Sequence, residues 1–286
     1  MTTAYETIRV RPLAGACGAE ISGVDLARPL GNQAFAEIHR AFLEHSVIFF
    51  RDQDLKPADQ EAFTLRFGPF GQTDYVKTLP DHPNIIAVIK EAEERTPFNF
   101  GGVWHSDFSY QDRPPMATIL YGRDVPPYGG DTMFASGYLA YETLSDGLKR
   151  TLEGLRAVHS ARRSYGSKGS YAKRRLKSME IAADESGDAE LEHPVIRTHP
   201  ETGRKSVFVN PVYTIRIAGW TEAESKPLLD FLHAHAQRPE FTCRFRWAKG
   251  SLAMWDNRCL QHLALNDYHG FRREHHRTTV AGDRPA

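Results

Sequence analysis

Within Trp104-His105-Ser106-Asp107 an imidazole and a carboxylate stand two residues apart. In an extended chain, residues i and i+2 project to the same side. His105 and Asp107 could therefore present a nitrogen and an oxygen to one metal ion. An HxD pair also arises easily by chance, and a hydrogen-bonded histidine is its commoner fate. The segment WDNRCLQH, Trp255 to His262, supplies a second histidine just after an apolar run that reads as a strand. Two imidazoles and one carboxylate compose the facial triad of non-haem Fe(II) oxygenases. That triad leaves adjacent metal positions open, enough for a chelating cosubstrate and for O2. A zinc hydrolase needs only one open position, and the HExxH signature of its common classes is missing.

Beyond His262 the chain places Arg272, Arg273 and Arg277. Arg273 and Arg277 are four apart and share one face of the strand expected there. Arginine suits bidentate capture of carboxylates, although a basic edge strand would read the same way. Gly129-Gly130-Asp131-Thr132 reads as a tight turn ending at a hydroxyl, which an ordinary hairpin also explains. His233 and His235 fall on an expected helix, where positions i and i+2 do not face each other. They read as surface residues. His275 and His276 lie beside the arginines and are expected to put one ring inward and one outward.

The elements that must position these groups are mostly strands. A first strand is expected at 6–11 and a buried one at Ser46–Phe50; NIIAVIK, ATILYGRDV, DTMFAS, VFVN, FTCRFRW, SLAMWD and HHRTTVAGD supply the others. Helices are expected over Asn32–Glu44, over Lys56–Phe67 with Pro57 near its start, through GYLAYETLSDGLKRTLEGL, and over Thr221–Gln237. Strands predominate without βαβ alternation, which argues for a β-sandwich decorated by helices. Residues 161–192 differ: a basic block, ARRSYGSKGSYAKRRLKS, precedes an acidic one, ADESGDAELE. So few apolar residues predict a solvated, mobile loop or a lid over a site.

Taken in order, RFGPF, WHSD, PPYGGDT, AYETLS, HPVIRTHPETGRKSVFVN, WDNRCLQH and RREHHRTTVAGDRP resemble the taurine and 2,4-dichlorophenoxyacetate dioxygenase (TauD/TfdA) family. The resemblance spans nearly the whole chain. It implies a mainly β fold with peripheral helices around a double-stranded β-helix (jelly-roll, cupin-like) core, one dioxygenase domain over residues 1–286. It implies Fe(II) held by His105, Asp107 and His262, with 2-oxoglutarate and O2 as cosubstrates. Thr132 and Arg273 match the groups that bind the distal carboxylate of 2-oxoglutarate, and Arg277 matches an arginine near the substrate's anionic group. Tyr213 aligns with an aromatic position on the substrate side, and Phe108, directly after Asp107, could line the same cavity. Tyr75 and Asn99 are further candidates there. Trp255 and Asn257 read as supports. After RFGPF the chain continues GQTDYVK, without the histidine that helps hold sulfonate in taurine enzymes, which argues against taurine itself.

Composition bounds the rest. Hydrophobic residues make up 41% of 286, enough for a sizeable core. Equal numbers of basic and acidic residues, 36 each, give no field to favour nucleic acid or an anionic membrane. Three scattered cysteines suggest a reducing cytoplasm, and no apolar run approaches a membrane span. The expected partner is a small anionic molecule such as a sulfonate, sulfate ester, phenoxyalkanoate or amino-acid derivative. Relatives suggest a dimer or tetramer. Hydroxylation is the expected outcome, with desaturation as an alternative within the same chemistry. A non-catalytic jelly-roll binding protein and a metal hydrolase are the competing classes.

Overall fold

The computed structural model describes residues 4–173 and 176–286. Its largest sheet has eight strands. Across it lie Arg9–Pro12, Ala19–Ser22, Val47–Phe50, Leu252–Asp256, Ala117–Asp124, Arg273–Val280, His82–Lys90 and Thr78–Leu79. Its neighbours pair antiparallel apart from Ala19–Ser22 with Val47–Phe50. A second sheet, ordered Thr242–Phe245, Thr132–Ser136 and Leu260–Ala264, packs against its inner face.

One strand shows why two layers form. In Val47–Phe50 the side chains alternate between faces. Ile48 and Phe50 pack outward on Ile38 and Phe42 of the Asn32–His45 helix and on Phe63 of the Pro57–Leu65 helix. Val47 and Phe49 pack inward on Phe134, Phe245 and Trp255. The neighbouring strands repeat the pattern, with Leu252, Met254, Ile119 and Tyr121 outward and Ala253, Trp255 and Leu120 inward. Phe49 stacks on Phe245 at 4.0 Å between ring centroids; truncating it to alanine would cost about 3–5 kcal/mol. Two facing sheets with helices outside make the mainly β, double-stranded β-helix architecture that was expected.

Several boundaries follow local chemistry. The first long helix stops at Ser46, whose φ of 64° turns the chain into the buried strand. Pro57 opens the second helix, and Thr221 and Glu224 form a reciprocal capping box on the Glu222–Ala236 helix. The single helix expected from residue 137 onward is instead two, Gly137–Glu142 and Asp146–Leu152. Ser145 accepts the Leu148 N–H and starts the second. The strand expected at VFVN sits earlier, at Lys205–Val207, in register with Ile196–Thr198. Arg156–Ser160, Glu190–Pro194 and Thr214–Ile217 form a further sheet that the sequence pattern did not reveal. The described part of 161–192 includes a helical turn, Ser170–Lys173, a 3-10 turn, Glu185–Asp188, and a buried Tyr165. Arg174 and Arg175 of that segment lie outside the described residues. Among the described residues no helix is long and apolar enough to cross a membrane.

Candidate active site

His105 and His262, far apart in the chain, meet as a reciprocal backbone pair. Each donates its N–H to the other's carbonyl, at 3.1 and 2.8 Å, and their rings lie 4.1 Å apart. Asp107, two residues on, brings its carboxylate to the same point. One ligand atom from each of the three lies within 4.8 Å of the others, all three residues being buried. His105 Nε2 is 3.7 Å from Asp107 Oδ1 and His262 Nε2 is 3.9 Å from Oδ2. Those gaps are too long for hydrogen bonds and fit ligands sharing one ion. His105 Nδ1 is committed to the Val103 carbonyl at 2.7 Å, so Nε2 carries the free lone pair. Burial, reinforced by His105, pushes the His262 imidazole down to about 3. It is a neutral ligand. Burial alone would raise the Asp107 carboxyl, but the Arg277 guanidinium beside it outweighs burial and holds it well below the usual carboxylate range.

A chain of directed hydrogen bonds fixes that carboxylate. Asn257 Oδ1 accepts from Trp255 Nε1 at 3.0 Å and from the Asp107 N–H at 3.3 Å. The amide orientation is thereby set, and its Nδ2 donates to Thr118 Oγ1 at 2.9 Å. Thr118, having accepted there, donates its own proton to Asp107 Oδ2 at 2.7 Å. Arg277 Nη1 donates to Asp107 Oδ1 at 3.2 Å. Directly after Asp107, Phe108 adopts φ 50°, a left-handed conformation that costs a bulky residue about 1–3 kcal/mol. The turn carries its buried ring under Arg277, 5.0 Å from the guanidinium.

Two adjoining cavities meet at this cluster. The larger, about 190 Å³, is lined by His105, Asp107, Arg277, Phe108, Tyr213 and Asn99, with Phe100, Tyr165, Tyr171 and Val212 completing much of its wall. Burial, together with neighbouring phenols, raises Tyr165 and Tyr213 well above their ordinary values, so this wall carries no phenolate. The smaller cavity is lined by Thr132, Arg273, His262, His105 and Arg277 among others. Arg273 and Arg277 are each 4% exposed, and each has a buried Nε and Nη2 without a hydrogen-bond partner. Gly130, at φ 67°, is what lets the GGDT turn lie against Arg273. A Cβ there would stand 3.3 Å from Arg273 Cδ and 3.1 Å from the Tyr268 ring.

The structure thus gathers His105, Asp107, His262, Thr132, Arg273, Arg277, Tyr213, Phe108 and Asn99 around the two adjoining cavities. Asn99 Nδ2 reaches the Ala264 and Leu265 carbonyls, leaving its buried Oδ1 without a partner. Tyr75 is placed differently: its ring stands behind the wall, stacked on Tyr165 at 4.9 Å, with its hydroxyl on Ser186. His275 and His276 alternate across the strand, but both are buried: His275 points inward, and His276 pairs with Glu274 on the opposite, covered face. Tyr165, Tyr171, Thr118 and Trp247 escaped the sequence reading. The repeated Ser-Tyr of RSYGSKGSY was the available signal for the first two; Thr118 and Trp247 had none.

The model for the family described as "Taurine catabolism dioxygenase TauD, TfdA family" matches residues 9–279. An alkylsulfatase from Acinetobacter baylyi is 37% identical over 97% of this chain and 86% of its own length. An alpha-ketoglutarate-dependent sulfate ester dioxygenase from Pseudomonas putida is 34% identical over 96% of this chain and 90% of its own. A taurine dioxygenase structure from Burkholderia xenovorans superposes with a TM-score of 0.81, at 37% identity over 98% of this chain and 93% of that one. With residues 9–279 matched by the family model and relatives aligned over nearly all of the chain, it belongs to the TauD/TfdA dioxygenase family.

Proposed function

We propose that this chain is an Fe(II)- and 2-oxoglutarate-dependent dioxygenase that cleaves small organic sulfate esters. One observation carries the reading: two buried arginines with unpartnered guanidinium nitrogens flank the His/Asp/His cluster, Arg273 at the smaller of two adjoining cavities and Arg277 where the two meet. Donors without acceptors in a buried site call for anions, and this arrangement suits two, a cosubstrate and a substrate.

His105, Asp107 and His262 hold ferrous iron, a fit supported by two imidazoles, one carboxylate and no competing hydrogen bond between them. Bound iron supplies O2 activation at the expense of 2-oxoglutarate, which leaves as succinate and CO2, with one oxygen atom going to the substrate. Arg273 and Thr132 bind the distal carboxylate of 2-oxoglutarate and fix its direction. Arg277 binds the sulfate head with its free Nε and Nη2. Phe100, Phe108, Tyr165, Tyr171 and Tyr213 enclose the organic tail and exclude water. A cavity of about 190 Å³ is comparable with one that takes up benzene, so a compact alkyl or aryl tail fits. Oxygen inserted at the carbon bearing the sulfate leaves a carbon that releases sulfate and becomes an aldehyde or ketone. Tyr165 and Tyr171, from the described part of the 161–192 segment, cover that cavity.

The test is a panel of alkyl sulfates, aryl-alkyl sulfates, taurine and phenoxyacetates under air with Fe(II) and 2-oxoglutarate. Succinate should form in step with sulfate and carbonyl product for the sulfate esters. Sulfate release without O2 or 2-oxoglutarate would reject the oxygenase; coupled turnover of another class alone would reject the substrate. Arg277→Gln should raise the KM for the sulfate ester about 10–100-fold, the loss of a charge-assisted bond. Binding of 2-oxoglutarate should weaken less than that of the sulfate ester, because Arg273 and Thr132 still hold its distal carboxylate.

A further inference from the structure

Thr132 has a neighbour that determines what its hydroxyl can do. Trp247 lies just beyond the Thr242–Phe245 strand, whose Phe245 pairs with Thr132 across the ladder. Its indole Nε1 is 2.9 Å from Thr132 Oγ1, and both residues are buried. The indole is held on two sides, edge to face with Phe245 at 5.0 Å and with His275 at 4.4 Å. An indole N–H only donates. Thr132 Oγ1 is therefore the acceptor, and its own proton must point elsewhere. Among the described residues no acceptor takes that proton. The free direction is the small cavity that Thr132 lines with Arg273, whose Nε and Nη2 also lack partners.

We propose that Trp247 is a positioning residue for cosubstrate recognition. By donating to Thr132 it locks the hydroxyl so that the Thr132 proton is aimed at the distal carboxylate of 2-oxoglutarate. It thereby sharpens the preference for a dicarboxylate keto acid over one that lacks the second carboxylate. The inference rests on the assignment of Thr132 and Arg273 to that carboxylate. Without the indole donor the hydroxyl is free to rotate, and part of its bond to the carboxylate is lost to alternative orientations. Polarisation of the hydroxyl by the indole adds to the effect.

The experiment compares 2-oxoglutarate with 2-oxovalerate, the same five-carbon chain without the distal carboxylate, by calorimetric titration of Mn(II)-loaded protein. Trp247→Phe keeps an aromatic ring and removes the donor. It should weaken 2-oxoglutarate about three- to tenfold, the range of one neutral hydrogen bond, and leave 2-oxovalerate unchanged. Thr132→Val should weaken 2-oxoglutarate by more, and adding Trp247→Phe to it should cost nothing further. Equal weakening of both keto acids, no weakening, or additive losses in the double variant would overturn the role of Trp247. If Thr132→Val and Arg273→Gln leave the dicarboxylate preference intact, the underlying carboxylate assignment falls instead. Should Trp247→Phe fail to fold, the unmodified Zn(II)-loaded protein gives the same answer. Its Trp247 indole ¹⁵N–¹H signal should move with 2-oxoglutarate and not with 2-oxovalerate; a signal indifferent to both removes the proposal.

Discussion

Thr118→Val isolates what orients the carboxylate of the metal site. Thr118 is fully buried, pairs across strands with Trp255 and Thr279, and differs from valine by one hydroxyl in nearly the same shape. That hydroxyl gives its proton to Asp107 Oδ2 and takes one from Asn257 Nδ2. Removing it deletes a bond to a charged acceptor, about 1.5–3 kcal/mol, and strands a buried amide donor, about 1–3 kcal/mol. Because the two share one network they do not add fully, and a loss of about 2–4 kcal/mol in metal-free stability is expected.

The effect on the metal has two opposing parts. A carboxylate without its hydroxyl donor is more basic and binds an ion better. A carboxylate without its tether is also free to turn toward Arg277, which already holds Oδ1 at 3.2 Å. Loss of outer partners of metal ligands typically weakens affinity about 10–100-fold, so orientation should win over basicity. The assay is calorimetric titration of chelator-stripped protein with Mn(II), with circular dichroism to establish folding. Thr118→Ser, which keeps the hydroxyl, should return affinity to near the parent value. A folded valine variant that binds Mn(II) as tightly as the parent, or more tightly, would refute the reasoning.

Two other outcomes are expected. Gly130→Ala should raise the 2-oxoglutarate KM severalfold and cost about 1–2 kcal/mol in thermal unfolding, because the position has φ 67° and a Cβ would press on Arg273. Glu201, bonded to His39 and Arg258, is held down at about 2 from an ordinary 4.5. A depressed carboxyl stabilises the fold above its unfolded value and loses that contribution as pH falls from 4.5 toward 2. With a third of the side chain exposed, solvent screening reduces the full value of ~3 kcal/mol to about 1–2 kcal/mol. Glu201→Gln should therefore be less stable than the parent at pH 7 by that amount, with the gap in denaturant unfolding closing near pH 2–3.

What the sequence disclosed was whatever depends on local spacing. His105 and Asp107 share a side because they are two apart, and Arg273 and Arg277 because they are four apart on a strand. The buried VIFF run and the capped helices were legible for the same reason. What stayed hidden depends on partners distant in the chain. Thr118 and Trp247 matter through the atoms they touch across strands, and neither carries a local mark. In the described part of 161–192, counting apolar residues overlooks tyrosine. Tyr165 and Tyr171 bury their rings against each other at 5.2 Å, and Tyr165 also packs on Tyr75, supplying the apolar surface that the charged composition concealed.

On the proposed function, the strand Arg273–Val280 presents the counter-charges for two anions. Its inward side chains are Arg273, His275 and Arg277, in successive alternate positions. Four residues of strand separate the two arginine Cα atoms by ~13 Å; Arg273 lines the small cavity, and Arg277 lines both cavities where they meet. On the proposed function, Arg273 is the counter-charge for the cosubstrate and Arg277, at the junction of the cavities, that for the substrate. A third cation between them would be expensive in a buried setting. The intervening His275 avoids this: burial and then Arg273 push its imidazole well below its ordinary value, leaving a neutral ring that packs on Trp247. The neutral spacer is thus a condition for two arginines to remain charged on one buried face, and a lysine at position 275 would be expected to disturb both cavities at once.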